Sequence, residues 1–192
     1  MSKGRLEAFS DGVLAIIITI MVLELKVPDS GNLAALMPLL PKFLSYVLSF
    51  VFLGIYWNNH HHLWQAVEKV NGSVLWANLH LLFWLSLIPF VTGWMGENQF
   101  ATTPVAFYGF VLWMSALAYF LMVRTLMVQH GSDSILVAAL GSGKKERISL
   151  ALYTAAILLA FVTSWIAILL YITVAIMWLI PDSRIENKMA GK

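Results

Sequence analysis

Asp11 places a carboxylate inside the head of an otherwise apolar run, Phe9-Ser10-Asp11-Gly12 followed by Val13 to Leu23. Near the centre of a membrane helix an Asp costs about 2.5–3.5 kcal/mol, so such an acid faces protein, water or a partner and carries a role: relay, ion attraction or polar anchor. Val13–Leu23 is only about 16 Å long at helical rise, far short of roughly 30 Å of hydrocarbon. A spanning helix must therefore take in Phe9, Ser10 and Asp11 at one end and Glu24 at the other. The rival reading makes Ser10-Asp11-Gly12 an N-cap, but a helix over 12–25 reaches only about 21 Å. Length favours the buried acid.

The same helix carries a second pattern. Ile16, Thr19, Ile20 and Leu23 recur at spacings of three and four and share one face. Asp11 lies about 140° round the helix from Ile16 and points elsewhere. Around a symmetry axis, Ile16 and Leu23 would form hydrophobic rings that gate by dewetting, with Thr19 hydroxyls between them to replace part of an ion's hydration shell. Spacing alone leaves this beside the plainer reading of an aliphatic packing stripe.

Depth along the helices suggests partners for the acid. Asp11 lies about 9 Å along its helix from Arg5, and His80 about 9 Å along the third helix from Val74. Trp57, Asn58, Asn59, His60 to His62 and Asn78 fall in the same layer. Donors of this kind at one depth make an intramembrane carboxylate tolerable, so Ser10, Asp11, Trp57, Asn78 and His80 are expected to form a polar latch that holds helix 1, with Arg5 and Phe9 part of the same motif. His60-His61-His62 invites a metal-site reading, but successive helical residues point about 100° apart and cannot chelate one ion together. With no cysteine in the chain, thiol nucleophiles, disulfides and zinc-thiolate sites are excluded. No enzymatic constellation remains.

The elements that position these residues follow from composition and turn signals. Hydrophobic residues make up 60% of the 192 and charged residues 11%, with a mean hydropathy of +0.80. Continuous apolar runs exclude a barrel's alternation, leaving an all-α polytopic membrane protein. Glu7 and Asp11 interrupt any signal-peptide core at the start. Spans are expected over 6–25, 41–64, 74–95 and 104–128, with Pro89 interrupting the third. The apolar piece 135–140 is too short to cross. The stretch 148–180 would make a helix of roughly 50 Å, so it is split near Phe161–Trp165 into two. Six spans put Lys3, Arg5, Lys69, Arg124, Lys144, Lys145, Arg147, Arg184, Lys188 and Lys192 on one side and only Lys26 and Lys42 on the other. That asymmetry predicts cytoplasmic termini and accounts for the pI of about 8.9 without a nucleic-acid partner.

Arg5-x-x-x-Phe9-Ser10-Asp11, running into the Ile/Leu-rich stretch and on to Leu23-Glu24-Leu25-Lys26-Val27-Pro28, resembles the prokaryotic branch of the transmembrane protein 175 family. Animal relatives carry two six-helix repeats; the motif occurs once here, which matches the single-repeat form. The resemblance implies a potassium-selective channel unrelated in fold to the usual potassium channels. It also implies a homotetramer whose first helix lines a central pore, with pore layers at positions matching Ile16, Thr19, Ile20 and Leu23. The expectation is thus one six-helix transmembrane domain over 1–192 in the cell membrane. Potassium passes at Ile16, Thr19 and Leu23; lipid and further copies of the chain are the partners, and no cofactor or bound metal is expected. The alternative class is a proton-coupled or cation secondary transporter using Asp11, His80 and Glu24 as a relay. Paired repeats or matching broken helices, usual in transporters, are not evident in the sequence.

Overall fold

A computed structural model describes residues 2–131 and 143–179. The short apolar piece 135–140 and the basic residues Arg184, Lys188 and Lys192 lie outside the described residues. Among the described residues seven α-helices follow one another: α1 (Lys3–Val22), α2 (Leu40–Gln65), α3 (Gly72–Ser86), α4 (Ile88–Glu97), α5 (Thr102–His130), α6 (Lys144–Ala160) and α7 (Ser164–Leu179), with a 3-10 segment, Leu33–Leu39, leading into α2. With α3 and α4 taken as one interrupted rod, the described residues form six helical spans. Among the described residues three stretches are long and apolar enough to cross a membrane by length and composition alone: Leu33–Gln65, Gly72–Glu97 and Thr102–His130. At 20 residues α1 reaches about 30 Å despite its charges.

The interruptions have local causes. Pro89 occupies the first turn of α4, where it lacks an N–H and its ring clashes with the carbonyl four residues back, so α3 stops at Ser86 and restarts after Leu87. The long apolar stretch does divide: α6 closes at Ala160 and α7 opens at Ser164. The intervening amides of Phe161 and Val162 bond back to the Leu158 and Leu159 carbonyls. One expectation needs correcting. The first helix begins three residues earlier than expected, at Lys3, and ends at Val22, so Glu24 lies outside it, exposed, in the following turn. Starting at Lys3 supplies the length that Glu24 was invoked to provide.

α5 is the central post, burying residues from Pro104 to Leu126. A hydroxyl cluster joins three helices through its core: Ser49 lies 2.6 Å from Thr92 and 2.9 Å from Tyr108. Tyr171 of α7 donates to the Val105 carbonyl at 3.1 Å. Both ends of the bundle are tied. At one end Lys3 reaches the Gln65 carbonyl and the His130 imidazole accepts from the amides of Glu68 and Lys69. At the other, Lys42 and Glu97 pair at 3.0 Å and Phe100 packs on Trp165. Two glycines permit the closest helix approaches. A Cβ at Gly96 would stand 2.8 Å from the Lys42 Cα, and one at Gly109 would overlap the Tyr171 hydroxyl.

Gly96→Ala must therefore push α4 away from the α2 backbone, and Gly109→Ala must displace Tyr171 from Val105. Each is expected to cost about 1–3 kcal/mol by overpacking. A lower melting temperature of the purified protein checks this; an unchanged one for both would show the interfaces to be slack.

Candidate functional site

α1 has two chemically distinct faces. Leu6, Ser10, Leu14, Ile17 and Met21 are buried against the rest of the subunit, at the three- and four-residue intervals of a helix face. The opposite stripe is bare: Ile16 is 58% exposed, Ile20 45% and Leu23 76%, whereas Ile17, one position round, is 5% exposed. Thr19 is exposed within this stripe. Its hydroxyl donates back to the Ala15 and Ile16 carbonyls, each at 3.0 Å. The proton is thereby committed to the helix, and the oxygen remains as an acceptor on the bare face. Arg5 is exposed on the same helix, as is Phe9 at 51%.

The other face is tied by a polar chain across three helices. Ser10 donates to the Leu6 carbonyl at 2.9 Å and accepts from the Asn78 amide at 2.9 Å. Ser10 therefore sits in the helix interior and does not cap an end. The oxygen of Asn78 lies 2.8 Å from His60 Nε2, which is also 2.7 Å from the Trp64 indole nitrogen. One ring nitrogen donates to the amide or accepts from the indole, and the tautomer decides which. Next to Ser10, Asp11 accepts from the Trp57 indole at 3.1 Å. Glu7 adds a contact to His61 at 3.3 Å, and His61 stacks on Trp57.

Of the expected latch residues, the structure brings together Ser10, Asp11, Trp57 and Asn78 but not His80. His80 accepts from Trp84 of its own helix at 3.0 Å, and among the described residues it makes no hydrogen bond to Asp11. The reason is direction: His80 is two residues beyond Asn78, about 200° round α3, and its partner Trp84 turns toward Phe110 of α5. The participation of Trp64 and of Glu7 was missed. Trp64 had a sequence signal, the i,i+4 His60–Trp64 pair; Glu7 had none stronger than its place one turn before Asp11. The histidine triplet diverges as its spacing requires, His60 to Asn78 and His61 to Glu7 and Gln65. Among the described residues no three His, Asp or Glu side chains are grouped to hold a metal ion.

Removing the carboxylate should loosen α1. Asp11→Asn keeps an acceptor for Trp57, whereas Asp11→Ala removes the hydrogen bond from this exposed indole altogether, at about 0.5–1.5 kcal/mol. Loss of thermal stability and of oligomer yield is expected, with Ala worse than Asn. A fully stable Ala variant that no longer conducts would assign Asp11 to an ion or proton path instead.

Residues 5–89 match the sequence model of the endosomal/lysosomal potassium channel TMEM175. A potassium channel of Chryseobacterium sp. (strain P1-3) is 58% identical over 98% of this chain and 98% of its own length. The human endosomal/lysosomal proton channel TMEM175 is 30% identical over 85% of this chain, which spans 36% of that longer protein. In structure, the chain is similar to the lysosomal potassium-selective channel TMEM175 homolog of Chamaesiphon minutus. The TM-score is 0.78 at 28% identity, covering 92% of this chain and 96% of that one. With near-complete coverage of a relative at that identity and a shared arrangement of helices, the chain belongs to the TMEM175 family.

Proposed function

We propose that the protein is a potassium channel, a homotetramer whose four α1 helices surround a pore lined by Ile16, Thr19, Ile20 and Leu23. The observation that carries this reading is the bare stripe of α1. A single subunit covers Ile17 and leaves Ile16, Ile20 and Leu23 open, and a lone helix cannot enclose a path. Relatives named as potassium channels, matched over nearly the whole chain, supply the permeant ion. The branched side chains of Ile16 and Leu23 offer an ion no replacement for its water, so they form the closing constrictions. Thr19, with its oxygen free to accept, supplies the only side-chain oxygens in that stripe. Conduction needs no cofactor, and no enzymatic step is assigned. The secondary-transporter reading is weakened because its proposed relay partner, His80, is engaged with Trp84.

The protein is a multi-pass membrane protein, and we place both termini in the cytoplasm of a cell-membrane protein from the distribution of Lys and Arg. In this orientation the Lys42–Glu97 pair marks the outer end and the His130–Lys69 contact the inner.

Ile16→Asn should wet the constriction and raise basal current, with Leu23→Asn acting in the same direction more weakly. Ile17→Asn buries an amide among apolar side chains and should reduce folded protein instead. Recordings from bilayers check the contrast, and equal effects at 16 and 17 would remove α1 from the pore wall. In the same recordings, bi-ionic potassium/sodium conditions should show a weakened potassium preference for Thr19→Ala with current retained.

Orientation is tested separately in the cysteine-free chain. A cysteine at exposed Asn98 should react with an impermeant thiol reagent in intact cells, and one at exposed Glu68 should not. The reverse pattern would invert the topology.

A further inference from the structure

Away from α1, a cavity opens between α2, α5, α6 and α7, with about 30 Å³ available to the centre of a water molecule. A single water needs roughly 10–15 Å³ by this measure, so the space suits one organic molecule of about two to four non-hydrogen atoms. Phe52, Ile55 and Ala116 give it apolar walls, and Tyr56, Asn59 and Tyr153 bring polar atoms to them.

Most other polar groups in the lining are already engaged. Trp178 donates to the Ser149 hydroxyl at 2.7 Å, Ser149 to the Lys145 carbonyl at 2.8 Å, and Tyr119 to the Asn59 backbone carbonyl at 3.4 Å. Glu146 also has a partner within the protein, so its charge calls for no counter-ion. Three groups are left. The hydroxyls of Tyr56 and Tyr153 make no hydrogen bond among the described residues. Asn59 spends an amide N–H on the Ile55 carbonyl at 2.8 Å, which leaves its side-chain oxygen to accept.

This remainder selects a ligand by donor and acceptor count. Two O–H groups seek acceptors and one oxygen seeks a donor, which a single hydroxyl meets with its two lone pairs and one proton. An ammonium has no lone pair for the tyrosines, and a carboxylate has no proton for Asn59. Water has the oxygen but carries a second O–H, which would be left against apolar wall. In an alcohol a carbon stands in that place and is itself withdrawn from water beside Phe52, Ile55 and Ala116.

We propose that this cavity within each subunit binds a short aliphatic alcohol, between methanol and propanol in size. Its oxygen accepts from Tyr56 and Tyr153 and its proton goes to Asn59. No wall of the cavity comes from α1, so the site stands or falls independently of the proposed pore.

The test is fluorine NMR of 2-fluoroethanol titrated into the purified full-length protein in detergent, with protein-free micelles as the baseline. Saturable line broadening is expected, reversed by ethanol but not by ethylammonium chloride or acetonitrile at the same concentration. Ala116→Leu, which fills the cavity from α5, should abolish it. Tyr56→Phe and Tyr153→Phe, which keep the rings and remove one hydroxyl each, should each raise Kd about 3- to 10-fold. If Ala116→Leu does not fold, the two Phe variants decide. The proposal is overturned if broadening is not saturable, if ethylammonium or acetonitrile competes as well as ethanol, if it persists in the cavity-filled variant, or if neither Phe variant changes Kd.

Discussion

Inside an apolar layer, polar side chains must be met by polar partners from neighbouring helices, and on α1 this requirement falls on two adjacent residues. Ser10 and Asp11 project about 100° apart, so a single neighbour cannot serve both. Asn78 of α3 takes the first and Trp57 of α2 the second. Two hydrogen bonds to two helices set how far α1 is rotated about its own axis, in a way that hydrophobic contact, being non-directional, does not. Once that rotation is set, Leu14, Ile17 and Met21 turn inward and Ile16, Ile20 and Leu23 turn out. The proposed pore lining is a consequence of where the polar residues of the opposite face find donors.

The remaining helices make a frame stiff enough for that rotation to matter. α5 is buried along most of its length, and Tyr108 meets Ser49 within a hydroxyl cluster that includes Thr92 of α4. Glycine at 96 and 109 brings helix axes closer than a side chain allows. Because packed interiors resist continuous deformation, a tilt of α1 must break discrete contacts such as Ser10–Asn78. In the proposed channel, motion of α1 is then a switch between states, with Trp57 and Asn78 as its fixed points.

His80 illustrates how reasoning by depth fails. It lies at the level of Asp11, has suitable chemistry, and still bonds within its own helix. Trp57 and Asn78 are at the same level and do reach α1. Rise per residue is constant along a helix, so levels are readable from chain position. Which way a residue faces relative to a neighbouring helix depends on how the two pack.

From residue order alone came the all-helical membrane class, the turn signals, the interruption at Pro89 and the division near Phe161. Each of these is local: a hydrophobic length, a missing N–H, a stretch too long for one crossing. The two-faced periodicity of α1 was legible too, but not which face the subunit would cover. That choice, together with the start of α1 at Lys3 and the exclusion of His80, belongs to the tertiary structure. Each depends on contacts between residues tens of positions apart, such as Ser10 with Asn78, and helical periodicity carries no information about the angle at which one helix meets another.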